Sequence, residues 1–172
     1  MHKKIIFLDV DGILTYTGYK NKNTANIDPE KVKMLAYICE HTNAKIVIIS
    51  SWRNSDIYTI LRNVLTTYNV PVLGDAPNIP GELLNCNTTK PLSLNEIGNY
   101  KTKYGTGRGA EVHKYITDNH ITQFVILDDE DHDWSDYHLE QHWLQPTFYS
   151  TNGGIQPEHV TKAISILNKA CF

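Results

Sequence analysis

Short apolar runs alternate with segments of helical periodicity along most of this sequence. The runs read IIFL, IVII and FVIL, and they are short and β-branched, as strands buried on both faces of a sheet should be. Between them, residues 28–43, 55–68 and 108–119 place apolar side chains three and four positions apart. Because right-handed crossovers place helices on both faces of such a sheet, this order predicts an α/β fold with a three-layer, doubly wound parallel sheet.

Single residues predict the boundaries of several elements. Asp28 is suited to cap the first helix, and Pro29 occupies its first position. We expect a short strand over residues 70–73, a weaker one over residues 143–148, and a last helix from Pro157. These elements complete the alternating order.

Residues 75–107 differ from the rest of the chain. They contain three prolines and many Asn and Thr residues, and they show no sustained period. This composition predicts a long surface loop, with one short helix near residues 92–97. With 172 residues, the chain suits one compact domain over residues 1–172, which buries roughly 70% of the surface that the unfolded chain exposes.

The composition argues against several classes of protein. The 16 Lys and Arg against 19 Asp and Glu residues give a net charge of −3, so only a local patch could bind nucleic acid. The 3 cysteines are widely spaced without a CxxC pair, which argues against a disulfide framework or a zinc site. The sequence contains neither a signal-like stretch nor a membrane span, so we expect a cytoplasmic protein without a membrane partner, although secretion without a cleavable signal would look the same.

Reactive side chains follow three of the predicted strands, in the stretches LDVDG, SSWR and DDEDHD. Ligands of open α/β sheets bind outside the carboxyl ends of the strands. Asp9 and Asp11 leave the first strand on the same side, and Gly12 lets the chain turn while its backbone stays close to a ligand. If Asp128 and Asp129 lie beside them, carboxylates cluster at one edge of the sheet.

Such a cluster needs a cation or shared protons. At about 4 Å and an effective dielectric constant near 20, each repulsion between like charges is about 4 kcal/mol. Hard oxygen ligands favour Mg²⁺, which usually keeps several waters and bridges to phosphate oxygens. The pattern therefore predicts a Mg²⁺ cofactor, with Asp9 and Asp11 as a metal-assisted nucleophile and acid/base pair.

Four stretches resemble, in order, the four motifs of the haloacid dehalogenase-like (HAD) phosphatase superfamily: FLDVDGILT, the apolar strand ending in ISS, GRGAEV and FVILDD. In more detail, SSWR, RGAEV, the acidic stretch after FVIL and the final helix resemble the HAD domains of Swiss-army-knife RNA-repair proteins. The resemblance spans most of the chain. It implies a HAD-like, Rossmannoid fold and the hydrolysis of phosphate monoesters.

The resemblance implies roles for the catalytic residues. Asp9 would attack phosphorus to form an aspartyl-phosphate, and Asp11 would protonate the leaving oxygen and then deprotonate the attacking water. Ser50 or Ser51 would donate a hydrogen bond to the phosphoryl oxygens, and we prefer Ser50. Arg108 stands where the family usually has Lys, and its wider, fixed fork is not equivalent to an ammonium group. Three lysines of the long loop are rivals for this role: Lys90, Lys101 and Lys103.

The resemblance also implies a metal site and substrate contacts. The candidate metal ligands are Asp9, the backbone carbonyl of Asp11, Asp128 and Asp129. Of the acidic pair, Asp129 would bind directly and Asp128 would lie behind it. The candidate substrate contacts are Gly12, Ser51 and Arg53. Arg53 resembles the arginine that binds the substrate phosphate in polynucleotide 3'-phosphatase domains.

Structural roles are alternatives for several of these residues. Trp52 could pack in the core, and Arg53 could form a surface ion pair. Three acids after the fourth strand are expected to be solvated: Glu130, Asp131 and Asp133. His138 and His142 are four residues apart, a spacing that can bind a transition metal on a helix, but we favour surface or packing roles.

Two competing motifs do not fit. DVDGILTYTGYK begins like a calcium loop, but its glycine comes fourth and its twelfth residue is Lys20, where a bidentate Glu is needed. GTGRGA satisfies the dinucleotide pattern GxGxxA, but no strand precedes it to start the turn. Its glycines fit better as the entry to the helix of Arg108, whose N-terminal amides would add to an anion-binding field.

The substrate class follows from the expected lack of a cap. Residues 13–28 are too short for a cap domain, and the long loop shows no domain pattern, so we expect an open, capless site. An open site suits phosphate on a macromolecule, such as a nucleic-acid end. A basic, aromatic strip could hold a single strand there: Tyr100, Lys101, Lys103, Tyr104 and Arg108. Alternatives are a small-metabolite or nucleotide phosphatase, a phosphoprotein phosphatase, and a weakly catalytic module that binds phosphorylated partners.

Overall fold

The computed structural model describes residues 3–77 and 107–169, which form a five-stranded sheet with helices on both faces. The strands are β1 (Lys4–Leu8), β2 (Lys45–Ile48), β3 (Val72–Asp75), β4 (Gln123–Leu127) and β5 (Trp143–Leu144). Neighbouring strands are parallel, in the order β3-β2-β1-β4-β5. The predicted α/β fold with a doubly wound parallel sheet is confirmed.

The described residues contain the α-helices α1 (Pro29–Thr42), α2 (Tyr58–Thr67), α3 (Arg108–Asn119) and α4 (Pro157–Asn168). The predicted start of α1 is confirmed, because Oδ1 of Asp28 accepts a hydrogen bond from the N–H of Glu30 at 2.9 Å. At α4, Gln156 and His159 form a capping box, in which each side chain bonds to the other residue's N–H. Within this part of the chain, no helix is long and apolar enough to cross a membrane.

Apolar side chains cover both faces of the sheet. Leu8 of β1 packs in the cluster that α1, α2 and α4 form on one face. Phe7, the preceding residue, packs on the other face with Val112 of α3 and with Trp134, which follows β4. Because successive residues of a strand point to opposite faces, a strand covered on both sides needs a continuous apolar run such as IIFL.

Two strands differ from their predicted boundaries. β3 begins two residues late, because the N–H of Val70 bonds to the carbonyl of Leu65 and closes α2, while Pro71 has no N–H to donate. β5 is shorter than the predicted residues 143–148, since two of its residues pair with β4.

Most of the predicted long loop, residues 75–107, lies outside the described residues. Asp75 ends β3, and Gly107 directly precedes α3. The predicted short helix near residues 92–97 and most of the basic, aromatic strip fall within residues 78–106, of which the structure gives no description.

Candidate active site

The order of the sheet reverses between β1 and β4, and such a switch point leaves a crevice at the carboxyl ends of the strands. Leu8 pairs with Leu127, so the residues that follow, Asp9 and Asp128, lie side by side. The N–H of Asp9 donates to the carbonyl of Leu127 at 2.9 Å. The two acidic stretches singled out in the sequence therefore meet at this crevice.

Three carboxylates form the centre of the site. Asp9, Asp128 and Asp129 each offer an oxygen, and these oxygens lie within 4.8 Å of one another. Burial raises the pKa of Asp9 to about 7; the Arg108 guanidinium opposes this shift and Asp128 adds to it. Burial, followed by the charge of Asp128, raises the pKa of Asp129 to about 6. The cluster is costly to ionise fully, and a cation among its oxygens would offset that cost.

Arg108 is the first residue of α3 and faces this cluster. Its Nη1 lies 2.7 Å from Oδ2 of Asp128 and 3.2 Å from Oδ1 of Asp9. The side chain remains 18% exposed and lines a cavity above the acids. The structure thus places Arg108 where the sequence predicts a cation. The rival lysines, Lys90, Lys101 and Lys103, lie outside the described residues.

Gly12 makes room for Asp129. Its φ of +73° lies in the region that favours glycine, and a Cβ at this position would overlap the Asp129 side chain. Gly12 is buried, so the role that the structure shows is clearance for a neighbouring acid. The predicted contact between Gly12 and substrate stays a prediction.

Two side chains hold Asp11 in place. The indole Nε1 of Trp52 donates to Oδ2 of Asp11 at 2.8 Å, and the hydroxyl of Thr15 donates to Oδ1 at 2.7 Å. Trp52 is buried, as the packing interpretation expects, but sequence analysis missed its bond to Asp11. A signal was present, because Trp52 follows the end of β2 and β2 pairs with β1.

The two serines after β2 lie in different environments. Ser50 is fully buried; its side chain opposes the rise in the pKa of Asp9, and its Oγ accepts the N–H of Trp52 at 3.4 Å. Ser51 is exposed and lines the cavity. Ser50 thus lies near the candidate nucleophile, whereas Ser51 lines the cavity in which a ligand would bind. The preference for Ser50 as the phosphate donor stays a prediction.

Arg53 lies in an ion pair with Glu111 of α3, and both side chains are only 7% exposed. Its Nη1 also donates to the carbonyls of Ile48 and Ala76, at 3.4 and 3.3 Å. These contacts tie α3 to the ends of β2 and β3. They do not fit the predicted contact with a substrate phosphate. The alternative, an ion pair, describes Arg53 better, although the pair is buried rather than on the surface.

The acidic stretch after β4 is only partly solvated. Glu130 and Asp131 are exposed, as predicted. The same prediction for Asp133 was wrong, because its carboxylate accepts the N–H groups of Gly109 at 2.7 Å and Ala110 at 3.3 Å. Asp133 therefore occupies two amides of the first turn of α3, which corrects the prediction that these amides are available to a bound anion.

Further contacts, which sequence analysis also missed, surround Asp128. The indole Nε1 of Trp143 donates to its backbone carbonyl at 2.8 Å, and the N–H of Glu130 donates to Oδ1 at 3.0 Å. Nε2 of His132 lies 3.4 Å from Oδ1, and Asp128 raises the pKa of this histidine. The sequence signal for His132 was only its position four residues after Asp128.

His138 and His142 do not form a helical metal pair. His138 has a φ of +56° and ends a short 3₁₀ turn. The ring of His142 stacks on Phe124, with centroids 4.1 Å apart, and its Nδ1 lies 3.1 Å from the carbonyl of Phe124. The predicted surface and packing roles describe both residues.

A cavity of about 300 Å³ lies over the carboxylates. Its described lining consists of Asp9, Asp11, Ser51, Arg108, Asp129, Glu130, Phe148 and Tyr149. Within this lining four carboxylates face one guanidinium, so a phosphate dianion would need a further cation. The clustered carboxylate oxygens and the space beside them for water fit Mg²⁺, which prefers hard oxygen ligands.

A family model described as the HAD domain in Swiss Army Knife RNA repair proteins matches residues 5–160. This range contains the carboxylate cluster, Arg108 and the described residues that line the cavity. No curated protein matches the chain. No solved structure matches it.

Proposed function

Because the chain belongs to the family of HAD domains in Swiss Army Knife RNA repair proteins, we propose that it is a Mg²⁺-dependent phosphomonoesterase acting through an aspartyl-phosphate on Asp9. The match confirms the resemblance that the sequence motifs indicated, and the family suggests a phosphatase-type hydrolase. The observation that carries the proposal is the meeting of Asp9, Asp128, Asp129 and Arg108 at one cavity.

In the proposed reaction, a carboxylate oxygen of Asp9 forms a bond to phosphorus while the bond from phosphorus to the ester oxygen breaks. Asp11 gives its proton to the departing oxygen. In the second step, Asp11 takes a proton from a water molecule, whose oxygen attacks phosphorus and releases inorganic phosphate from Asp9. The bonds from Trp52 and Thr15 support this role, because they fix the orientation of the Asp11 carboxylate.

Asp9, Asp129 and the backbone of Asp11 would hold Mg²⁺, with Asp128 behind them. When bound, Mg²⁺ would neutralise negative charge on the phosphoryl group and on the acids. Arg108 adds a fixed positive charge beside Asp9 and can donate hydrogen bonds to a phosphoryl oxygen. Its ion pairs with Asp9 and Asp128 hold the guanidinium at the floor of the cavity.

We propose a phosphate at an accessible nucleic-acid end as the substrate. The RNA-repair proteins in which the family's domain occurs support this class. The aromatic side chains of Phe148 and Tyr149, which line the cavity together with the acids, also support it. Oligonucleotides with a 3'- or 5'-phosphate should then be better substrates than mononucleotides, sugar phosphates or phosphopeptides. A preference for one of the smaller compounds would instead favour a metabolite or nucleotide phosphatase.

Release of inorganic phosphate from a generic aryl phosphate, with and without Mg²⁺, tests the chemistry. We expect release that depends on Mg²⁺ and is abolished by Asp9→Asn. Asp118→Asn is the matched control, because Asp118 is an exposed acid near the far end of α3. Turnover that survives Asp9→Asn would contradict the nucleophile. If the wild-type protein binds phosphorylated oligonucleotides but hydrolyses neither them nor the aryl phosphate, it is a binding module.

A further inference from the structure

Tyr149 is an exposed aromatic side chain at the edge of the cavity. It is 87% exposed and lines the same cavity as Asp9, Arg108 and Asp129. Single exposed aromatic residues are common on protein surfaces and need no function. The position of Tyr149 beside the reacting groups, and the way its loop is held, distinguish it from such residues.

The loop that carries Tyr149, residues 147–154, is bonded to the segment that follows β1. The N–H of Thr17 donates to the carbonyl of Phe148 at 3.1 Å, and its hydroxyl donates to the carbonyl of Ser150 at 3.0 Å. At the base of the loop, the N–H of Gly154 donates to the carbonyl of Thr147 at 2.9 Å. The backbone on both sides of Tyr149 is therefore held in place.

Close packing and a second ring support this arrangement. A Cβ at Gly18 would overlap the backbone of Thr151, so the two segments lie in direct contact. The rings of Phe148 and Tyr149 meet edge to face, with centroids 5.1 Å apart and an interplanar angle of 84°. An aromatic surface that is already oriented loses little conformational freedom when a planar ligand binds to it.

The charges of the cavity favour stacking as the source of affinity for the organic part of the substrate. Asp9, Asp11, Asp129 and Glu130 outnumber Arg108 in the described lining, so the charges of this surface offer little affinity for the sugar and base of the substrate. A planar ring of the substrate that stacks on Tyr149 would strengthen binding of the substrate without any charge interaction. Aromatic side chains commonly stack on unpaired bases of single strands and strand ends.

We propose that Tyr149 stacks on the nucleobase of the nucleotide that carries the phosphate, and so selects a terminal nucleotide. This inference rests on the proposed function, because it assumes that the phosphate lies beside Asp9. A nucleobase is joined to its phosphate through the sugar, so it would lie at the rim of the cavity while the phosphate lies near Arg108. Tyr149 is thus a specificity residue outside the reacting groups.

The test uses two oligonucleotides of equal charge that carry a terminal phosphate and differ only in whether the terminal nucleotide has its base. For Tyr149→Ala, we expect the ratio of kcat/KM for the base-bearing over the abasic substrate to fall about 5- to 150-fold, mainly through KM. Tyr149→Phe should keep the wild-type ratio because it keeps the ring. Tyr37→Ala, which removes an exposed tyrosine of α1, is the control.

The same comparison without turnover separates this proposal from the proposed function. Dissociation constants of both oligonucleotides are measured for Asp9→Asn and for the double variant with Tyr149→Ala. If the wild-type protein hydrolyses neither oligonucleotide but the binding preference for the base disappears with Tyr149→Ala, the proposed function fails and the stacking stands. The stacking proposal would be overturned if Tyr149→Ala weakened the binding of both oligonucleotides equally, weakened the binding of neither, or weakened only the binding of a phosphotyrosyl peptide.

Discussion

At the scale of single residues, the chemistry depends on how each carboxylate is held. Asp9 is buried beside Asp128 and Arg108, whereas Asp11 is partly exposed and accepts bonds from Trp52 and Thr15. A carboxyl group that gives and takes a proton must stay in one orientation through both steps. The indole of Trp52 provides this constraint from a neighbouring strand end.

Trp52→Phe should therefore lower kcat with little effect on KM. The substitution keeps a buried ring but removes the N–H that bonds to Asp11. A hydrogen bond to a charged group contributes about 1.5–3 kcal/mol, which corresponds to a loss of about 10- to 150-fold in kcat. Steady-state kinetics and a thermal unfolding curve measure the two effects. An unchanged kcat would show that Thr15 alone orients Asp11.

Substitutions of the two serines should have different effects. Ser51→Ala is expected to raise KM with little change in stability, because Ser51 is exposed and lines the cavity. Ser50→Ala is expected to lower kcat, because the Ser50 side chain opposes the rise in the pKa of Asp9, and to cost about 1 kcal/mol of stability, because it removes the acceptor of the Trp52 N–H. Kinetics and urea unfolding of both variants would decide the assignment. A KM effect confined to Ser50→Ala would support Ser50 as the phosphate contact.

At the scale of secondary-structure elements, the position of α3 matters most, because its first residue is Arg108. Asp133 caps its first turn, and Glu111 pairs with Arg53. Arg53 also bonds to the carbonyls at the ends of β2 and β3. The helix is thus tied both to the sheet and to the acidic stretch after β4.

Arg53→Met should lower the free energy of unfolding by about 3–5 kcal/mol, because it leaves the buried Glu111 carboxylate without this partner. Urea unfolding measures the loss. The double variant with Glu111→Met should recover part of it, since neither charge of this pair then remains. The exposed pair on the same helix is the control: Asp118→Asn should change stability by less than about 1 kcal/mol. A small loss in Arg53→Met would contradict the structural role.

At the scale of the whole molecule, the fold brings acids together in the site although their negative charges repel one another. The switch point places Asp9, Asp128 and Asp129 together although each favours solvent. A cation that binds only the folded state should offset this repulsion and stabilise the protein.

Saturating Mg²⁺ should raise the unfolding temperature. At a concentration of about 100 times Kd, binding stabilises by about 2.7 kcal/mol, which corresponds to roughly 5–10 °C for a chain of this size. Asp129→Asn should remove most of the shift, because it takes one ligand from the cluster. Asp118→Asn should keep the shift. Equal shifts in wild type and Asp129→Asn would place the Mg²⁺ elsewhere.

In mild acid, His142 should contribute a loss of stability, opposite in sign to the contributions of Asp9 and Asp129, whose pKa values are raised in the folded protein. Burial against Phe124 lowers the pKa of His142 below its ordinary value of 6.5. The unfolded chain therefore takes up this proton first, so stability is lost as pH falls below about 6.5. As pH falls from 7 to 5, the difference in free energy of unfolding between His142→Gln and the wild-type protein should shift in favour of the variant, as measured by urea unfolding. Parallel curves for the two proteins would contradict this assignment.

Much of this fold could be read from the sequence, because local periodicity and strand-end chemistry are properties of short stretches. IIFL, IVII and FVIL predicted buried strands, and the α/β order then required Asp9, Asp11 and the acidic pair to share one edge of the sheet. The four motifs also resembled those of the HAD superfamily, and the family match confirms this resemblance. The resemblance made Arg108 the candidate cation, with Lys90, Lys101 and Lys103 as rivals, and Arg108 lies beside Asp9 in the structure.

The partners of individual side chains depended on distances that no local pattern contains. Only the tertiary structure decided that Trp52 bonds to Asp11, that Arg53 pairs with Glu111 and that Asp133 caps α3. Each of these contacts joins residues at least 23 positions apart. Composition predicts solvation for an acid, and the family resemblance implied a phosphate contact for Arg53, but the actual partners depend on which groups folding brings within hydrogen-bond distance.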